Sequence, residues 1–212
     1  NRESIEQALN EWSPRQAGAG VVALLPEAEK GHLGVLQEAC RQFGLALAGG
    51  IFPALIRQEA FLTHGAWLLR FDLMPPHFLL PAVNATGNPA RAVVAAAREG
   101  LKSCPPGAPK PTLFLLFDGM VPNVASILEG IYLDLSNRVE YAGVNAGSES
   151  FQPMPCLFNE NEVVGNGVLA LLFSGDSTTV LAHGYRPPER ILSATSTEGN
   201  RIAMIDWRPA FE

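Results

Sequence analysis

The sequence predicts an α/β fold with a mixed sheet, arranged as two βαβ-like halves with additional antiparallel strands. Three observations carry this. Short apolar runs of strand length alternate with segments whose apolar residues recur at helical spacing. The order strand, helix, strand, glycine-containing turn, further strand occurs twice, on either side of a proline-rich stretch. The chain also has 212 residues, 47% hydrophobic and 17% charged, which is long and apolar enough to bury a core without disulfides or metals.

The elements follow in order. From Glu3 to Trp12 the apolar residues Ile5, Ala8, Leu9 and Trp12 share a helix face, and Pro14 lies beyond the end. Val21 to Leu25 is a buried strand. Gly31 to Phe43 reads as a helix with Leu33, Leu36, Ala39, Cys40 and Phe43 on one stripe. Leu45 to Ile51 is a strand broken by Gly49-Gly50. A short region from Phe52 to Leu62 leads to strands at Trp67–Leu73 and Phe78–Val83. Asn88-Pro89 opens an alanine-rich helix through Leu101, with proline at the first helical position. Four prolines between Ser103 and Pro111 make residues 103–111 a stiff linker. Beyond it come a strand at Leu113–Phe117, a helix at Val124–Leu135 and a strand at Val139–Val144. Strand-like runs follow at Met154–Phe158, Val168–Phe173, Thr179–His183, Ile191–Thr195 and Ile202–Ile205.

Residues 20–102 and 112–212 therefore read as two halves. Val22-Ala23-Leu24-Leu25 falls against Phe114-Leu115-Leu116-Phe117, Ala48-Gly49-Gly50 against Ala142-Gly143-Val144, and Leu68-Leu69-Arg70-Phe71 against Leu171-Leu172-Phe173. The spacing from Leu25 to Ala48 nearly equals that from Phe117 to Ala142. An internal duplication would produce this match, and so would the general likeness of any two βαβ units.

Composition excludes several classes of function. Net charge is −6 and the isoelectric point about 5.3, with no run of Lys or Arg, which argues against nucleic-acid binding. No apolar stretch has the length of a membrane span. The three cysteines, Cys40, Cys104 and Cys156, are odd in number and widely spaced, which suits a reduced cytoplasm better than a disulfide framework. The chain opens without a methionine or a signal pattern and stops abruptly, so it reads as a domain cut from a longer cytoplasmic protein.

Catalytic and cofactor signatures are absent. There is no P-loop, HExxH, CxxC or calcium-loop spacing, no GxSxG elbow, and Gly18-Ala19-Gly20 precedes its strand where a dinucleotide fingerprint would follow it. The expectation is a binding module, not an enzyme. A dispersed hydrolase triad stays open only in the sense that Ser, His and Asp are all present. Two glycine turns after strands stand out, Gly49-Gly50 and Gly143-Val144-Asn145-Ala146-Gly147-Ser148. Glycine lets the backbone approach a ligand, and Asn145 and Ser148 add side-chain donors and acceptors. Strand ends of this kind are where open α/β sheets bind ligands, although plain turn geometry would also account for them. The second cluster is His183-Gly184-Tyr185-Arg186-Pro187. His183 suits a metal, a haem or an acid, and Arg186 a carboxylate; the alternative is a packed Tyr and a solvated Arg. His32, His64 and His77 read as surface histidines. Asp118-Gly119 either caps the next helix or holds a ligand amine, and capping is preferred, with Asn123 as the N-cap itself. Trp207 and Phe211 read as exposed aromatics suited to a partner surface.

Several of these segments together resemble the N-terminal FIST domain. They are Leu113–Asp118 followed by Gly119, Gly143–Gly147, Phe158 to Gly165, Gly167–Gly175, and Thr195 to Ala210. The most specific is Ala194-Thr195-Ser196-Thr197-Glu198-Gly199-Asn200-Arg201-Ile202, then Asp206 and Pro209-Ala210. The chain departs from the pattern at Trp207, where the family has glycine. The resemblance implies an intracellular sensory module of bacterial signal transduction. It implies a small ligand, with amino acids proposed, and a signal relayed to a C-terminal FIST half, absent from this sequence, or to a partner such as a histidine kinase, a chemoreceptor or a cyclic-dinucleotide enzyme. Some members of the family are haem proteins that sense nitric oxide, which here would make His183 the axial ligand. The expected ligand site joins Gly143, Asn145, Ser148, His183 and Arg186.

Overall fold

The computed structural model describes residues 2–11, 17–85, 87–104, 109–175, 177–178, 186, 189–198 and 201–211. It divides into a large unit, Asn1–Ser177, and a small one, Thr178–Glu212.

The large unit is built from two parallel strand pairs. After helix α1 (Arg2–Glu11), strand β1 (Gly20–Pro26) leads through a 3₁₀ turn into helix α2 (Leu33–Phe43) and returns as β2 (Ala46–Phe52). Gly44 closes α2 in the left-handed conformation, as a helix C-terminus prefers. A short hairpin of β3 (Leu55–Arg57) and β4 (Ala60–Leu62) follows, then β5 (Trp67–Phe71) and β6 (His77–Leu80). Helix α3 (Pro89–Leu101) is capped by Asn88, whose side chain accepts from the Arg91 N–H at 3.1 Å. Strand β7 (Thr112–Asp118), helix α4 (Val124–Leu135) and strand β8 (Glu140–Ala146) repeat the strand–helix–strand unit. Then come β9 (Leu157–Asn159), β10 (Val163–Val164) and β11 (Val168–Phe173).

The strands form two large sheets, ordered β10-β9-β2-β1-β5 and β6-β11-β7-β8. In each, a seven-residue parallel pair is in register over its whole length, β1 with β2 and β7 with β8. In each, one antiparallel strand flanks the first member of the pair, β5 on β1 and β11 on β7. The paired segments of the two halves thus occupy equivalent places. The sheets do not partition along the chain, however. Strand β6 precedes the proline-rich stretch yet pairs with β11, while β9 and β10 follow β8 yet complete the first sheet on β2.

The layers are helix, sheet, sheet, helix. Leu116 of β7 and Leu169 and Leu171 of β11 share a core with α1, α2 and the first sheet. Leu113, Leu115, Phe117, Val168, Ala170 and Leu172, alternating with them, face the core of α3 and α4. Burial on both faces explains why β7 and β11 read as unbroken apolar runs.

Of the glycines expected to break or end strands, Gly147 does follow the end of β8, with a φ of 135°, but the other three do neither. Gly49 and Gly50 lie inside β2, and Gly143 inside β8. A Cβ on Gly49 would stand 2.1 Å from the Ala23 carbonyl oxygen and 2.5 Å from the Phe158 ring. One on Gly143 would stand 2.3 Å from the Leu115 carbonyl oxygen. Both are the fourth residue of the second strand of a parallel pair, opposite the fourth residue of the first. Close approach of neighbouring backbones, not turn geometry, demands glycine there.

The small unit contains β12 (Ala194–Glu198), β13 (Arg201–Ile205) and β14 (Arg208–Pro209) as an antiparallel meander. The strand expected at Thr179–His183 lies outside the described residues, apart from its flanking Thr178. Among the described residues no helix is long and apolar enough to cross a membrane.

Candidate functional site

The carboxyl ends of the two parallel pairs converge. The Gly147 N–H, just past β8, donates to the Ile51 carbonyl in β2 at 2.8 Å. Beside this junction is a cleft of about 150 Å³. Its walls come from three strand ends: Pro53 after β2, Asp118 to Met120 at the end of β7, and Asn145 to Ser148 at the end of β8, with Phe151 and Gln152 closing one side.

Glu27, the residue after β1, joins the same junction from the other pair. The Ser148 hydroxyl lies 3.0 and 2.9 Å from its two carboxylate oxygens, and the Glu149 N–H donates to it at 3.1 Å. Lys30 Nζ stands 3.4 Å away. These donors, Ser148 first among them, hold the Glu27 carboxyl below its ordinary value. The loops after β1 and β8 are thereby clasped across 121 residues of sequence.

Asp118 ends β7 and is 2% exposed. It does not cap α4 as expected. Its Oδ1 accepts from the Met120 N–H at 2.9 Å and its Oδ2 from the Asn166 N–H at 2.6 Å. These bonds fasten the loop after β7 and the turn before β11. The Cys156 thiol faces the same carboxylate, and burial together with the Asp118 charge pushes it up to about 12. Asn123 does occupy the N-cap position of α4, but in a left-handed conformation with no side-chain cap.

Of the residues expected to form the site, Asn145 and Ser148 line the cleft. Gly143 lies in mid-strand, three residues before its end. Arg186 is exposed and belongs to the small unit. His183, with Gly184, Tyr185 and Pro187, lies outside the described residues. His32 and His64 approach the Glu29 carboxylate at 2.6 and 3.4 Å, and the His77 ring nitrogen is 3.0 Å from the Pro75 carbonyl oxygen. Among the described residues no cluster of His, Cys, Asp and Glu has the arrangement of a metal site. Glu27 and Gln152 escaped sequence analysis. The rule that ligands gather at the carboxyl ends of parallel strands, applied to β1 as well as β8, would have singled out Glu27. A larger groove of about 580 Å³ runs past Phe71, Met74, Phe78 and Phe173, but its walls are mainly apolar.

The FIST N domain family model matches residues 21–208. The chain therefore belongs to this family of signal-transduction sensory domains. No curated protein and no solved structure is significantly similar to it.

Proposed function

We propose that this chain is the ligand-binding part of an intracellular sensor and that the cleft at the joined strand ends takes a small polar ligand. The observation that carries this is the clasp between Glu27 and Ser148 at the edge of the cleft. Ser148 belongs both to the cleft wall and to the clasp. A ligand that engages Ser148 and Asn145 competes with Glu27 for the hydroxyl, so occupancy and the tie between the two strand pairs are thermodynamically linked. The altered tie is what a C-terminal half or a partner such as a histidine kinase would read. The module binds and relays; it does not turn over substrate.

The test is a thermal-shift screen of small amino acids, amines and carboxylates, followed by calorimetry on any hit. Asn145→Ala and Ser148→Ala should each weaken binding about tenfold or more, as loss of one hydrogen-bonded contact implies. A hit whose affinity is unchanged in both variants refutes this placement. Titration with hemin separates the haem alternative: a Soret band that shifts with nitric oxide and disappears in His183→Ala would make the chain a gas sensor instead.

A further inference from the structure

The edge of the second sheet bears on how copies of the chain meet. Among the described residues strand β8 ends its sheet, and β7 is its only strand partner. The Glu140 N–H donates to the Pro111 carbonyl, and the Ala146 carbonyl accepts from the Gly119 N–H, both at 2.8 Å. In a parallel ladder this alternation turns the even residues of β8 toward β7. The N–H and C=O groups of Gly143 and Asn145 consequently point away from the sheet, and both residues are exposed.

Exposed edges are ordinarily guarded by charge, proline, bulges or shortness. The other edges of the two large sheets follow this rule. Strand β5 carries Arg70, paired with Asp72 just beyond it at 2.8 Å. Strand β6 is preceded directly by Pro75 and Pro76, and β10 has two residues. Among the described residues strand β8 has none of these guards: it is seven residues long, regular, and charged only at Glu140, which Lys110 neutralises at 2.7 Å. Val144 is 47% exposed on it.

We propose that β8 is an interface strand through which two copies of this chain pair antiparallel about a two-fold axis at Val144. The strand is complementary to itself in that register. Gly143 of each copy faces Asn145 of the other, so the outward donors and acceptors of both satisfy one another. Val144 meets Val144, and Ala142 meets Ala146. The segment that pairs, Ala142 to Ala146, carries no charge, so no like charges are opposed within it. A strand from an unrelated protein would require a matching charge-free segment, which a second copy supplies by construction. Asn145 also lines the cleft, so a ligand there acts on the residue that closes the intermolecular ladder; this last link, unlike the pairing, depends on the cleft being the ligand site.

The experiment is sedimentation velocity on the whole chain at rising concentration. The expected result is a reversible shift from one chain mass to two. Val144→Lys should remain monomeric with an unchanged circular-dichroism spectrum. Opposed residues of a non-hydrogen-bonded antiparallel pair lie about 4.5 Å apart at Cα, within reach of a disulfide. Val144→Cys, in a Cys104→Ser background, should therefore link into a covalent dimer in mild oxidant. A chain that stays monomeric throughout, or a dimer that survives Val144→Lys and fails to cross-link through Val144→Cys, overturns the proposal. Ligand binding by such a monomer would leave the functional reading intact, so the two fail separately.

Discussion

Gly143 is open to solvent and still has no room for a methyl group, because the obstacle is the neighbouring backbone. Gly143→Ala should destabilise the protein by about 1–3 kcal/mol, the range for forcing atoms into packed space, and Gly49→Ala at least as much, since the Phe158 ring also sits over it. Gly34, exposed in α2 with nothing within 4 Å of its Cβ position, should tolerate alanine or gain up to about 1 kcal/mol. Thermal denaturation of the three variants checks the contrast. Glu27 supplies a second residue-scale prediction, in pH. Its folded carboxyl is held below the ordinary value of 4.5. The clasp is then fully present above that value and is lost as pH falls through the depressed one. Ser148→Ala removes the largest cause, so the Glu27 carboxyl should titrate at higher pH, followed by carbon-detected NMR. An unmoved titration would show that Ser148 does not hold it.

At the scale of elements, the link between β13 and β14 stands out. Ile205 and Arg208 are paired across a two-residue loop, Asp206-Trp207, with φ of 48° and 64°. Two positive φ values mark the hairpin turn that favours Asp-Gly. Trp207 replaces the glycine, 77% exposed and in a conformation that costs an L-residue about 1 kcal/mol. Trp207→Gly should stabilise the hairpin by that amount, measured as slower amide exchange at Arg201–Ile205; faster exchange would mean that the indole itself holds the turn. The sequence already marked Trp207 as a departure from the family pattern, and the dihedral angles give the reason it matters. Other elements were equally legible: α4 and β11 fall on their predicted residues because each is a clean apolar pattern with turn signals beside it. The β3–β4 hairpin was not, since its strands have three residues each. In the site, Asn145 and Ser148 could be read because glycines and polar residues follow an apolar run. Glu27 could not be paired with them, because a contact between residues this far apart leaves no periodicity in the chain.

At the scale of the whole large unit, the two sheets are interlocked. Residues 77–80 complete the second sheet and residues 157–164 the first. Neither half of the sequence holds all the strands of one sheet. A fragment spanning residues 1–104 lacks β9, so β2 loses its outer neighbour and Gly49 loses the Phe158 ring that covers it. The fragment should show no cooperative thermal transition by circular dichroism, although the strand–helix–strand pattern within it is complete. A cooperative transition would show that the first parallel pair with its helices is sufficient.

The same interlocking sets a schedule for the chain as it is made. Synthesis runs from the N-terminus, and the first sheet cannot close until β10 has left the ribosome, long after β1 and β2 have emerged. During that interval the outer edge of β2 is unpaired and apolar, the condition under which nascent strands associate wrongly. Helix α2, adjacent in sequence and packed on the same core, can shield one face of β2 early. The edge itself must wait for a segment encoded more than a hundred codons downstream.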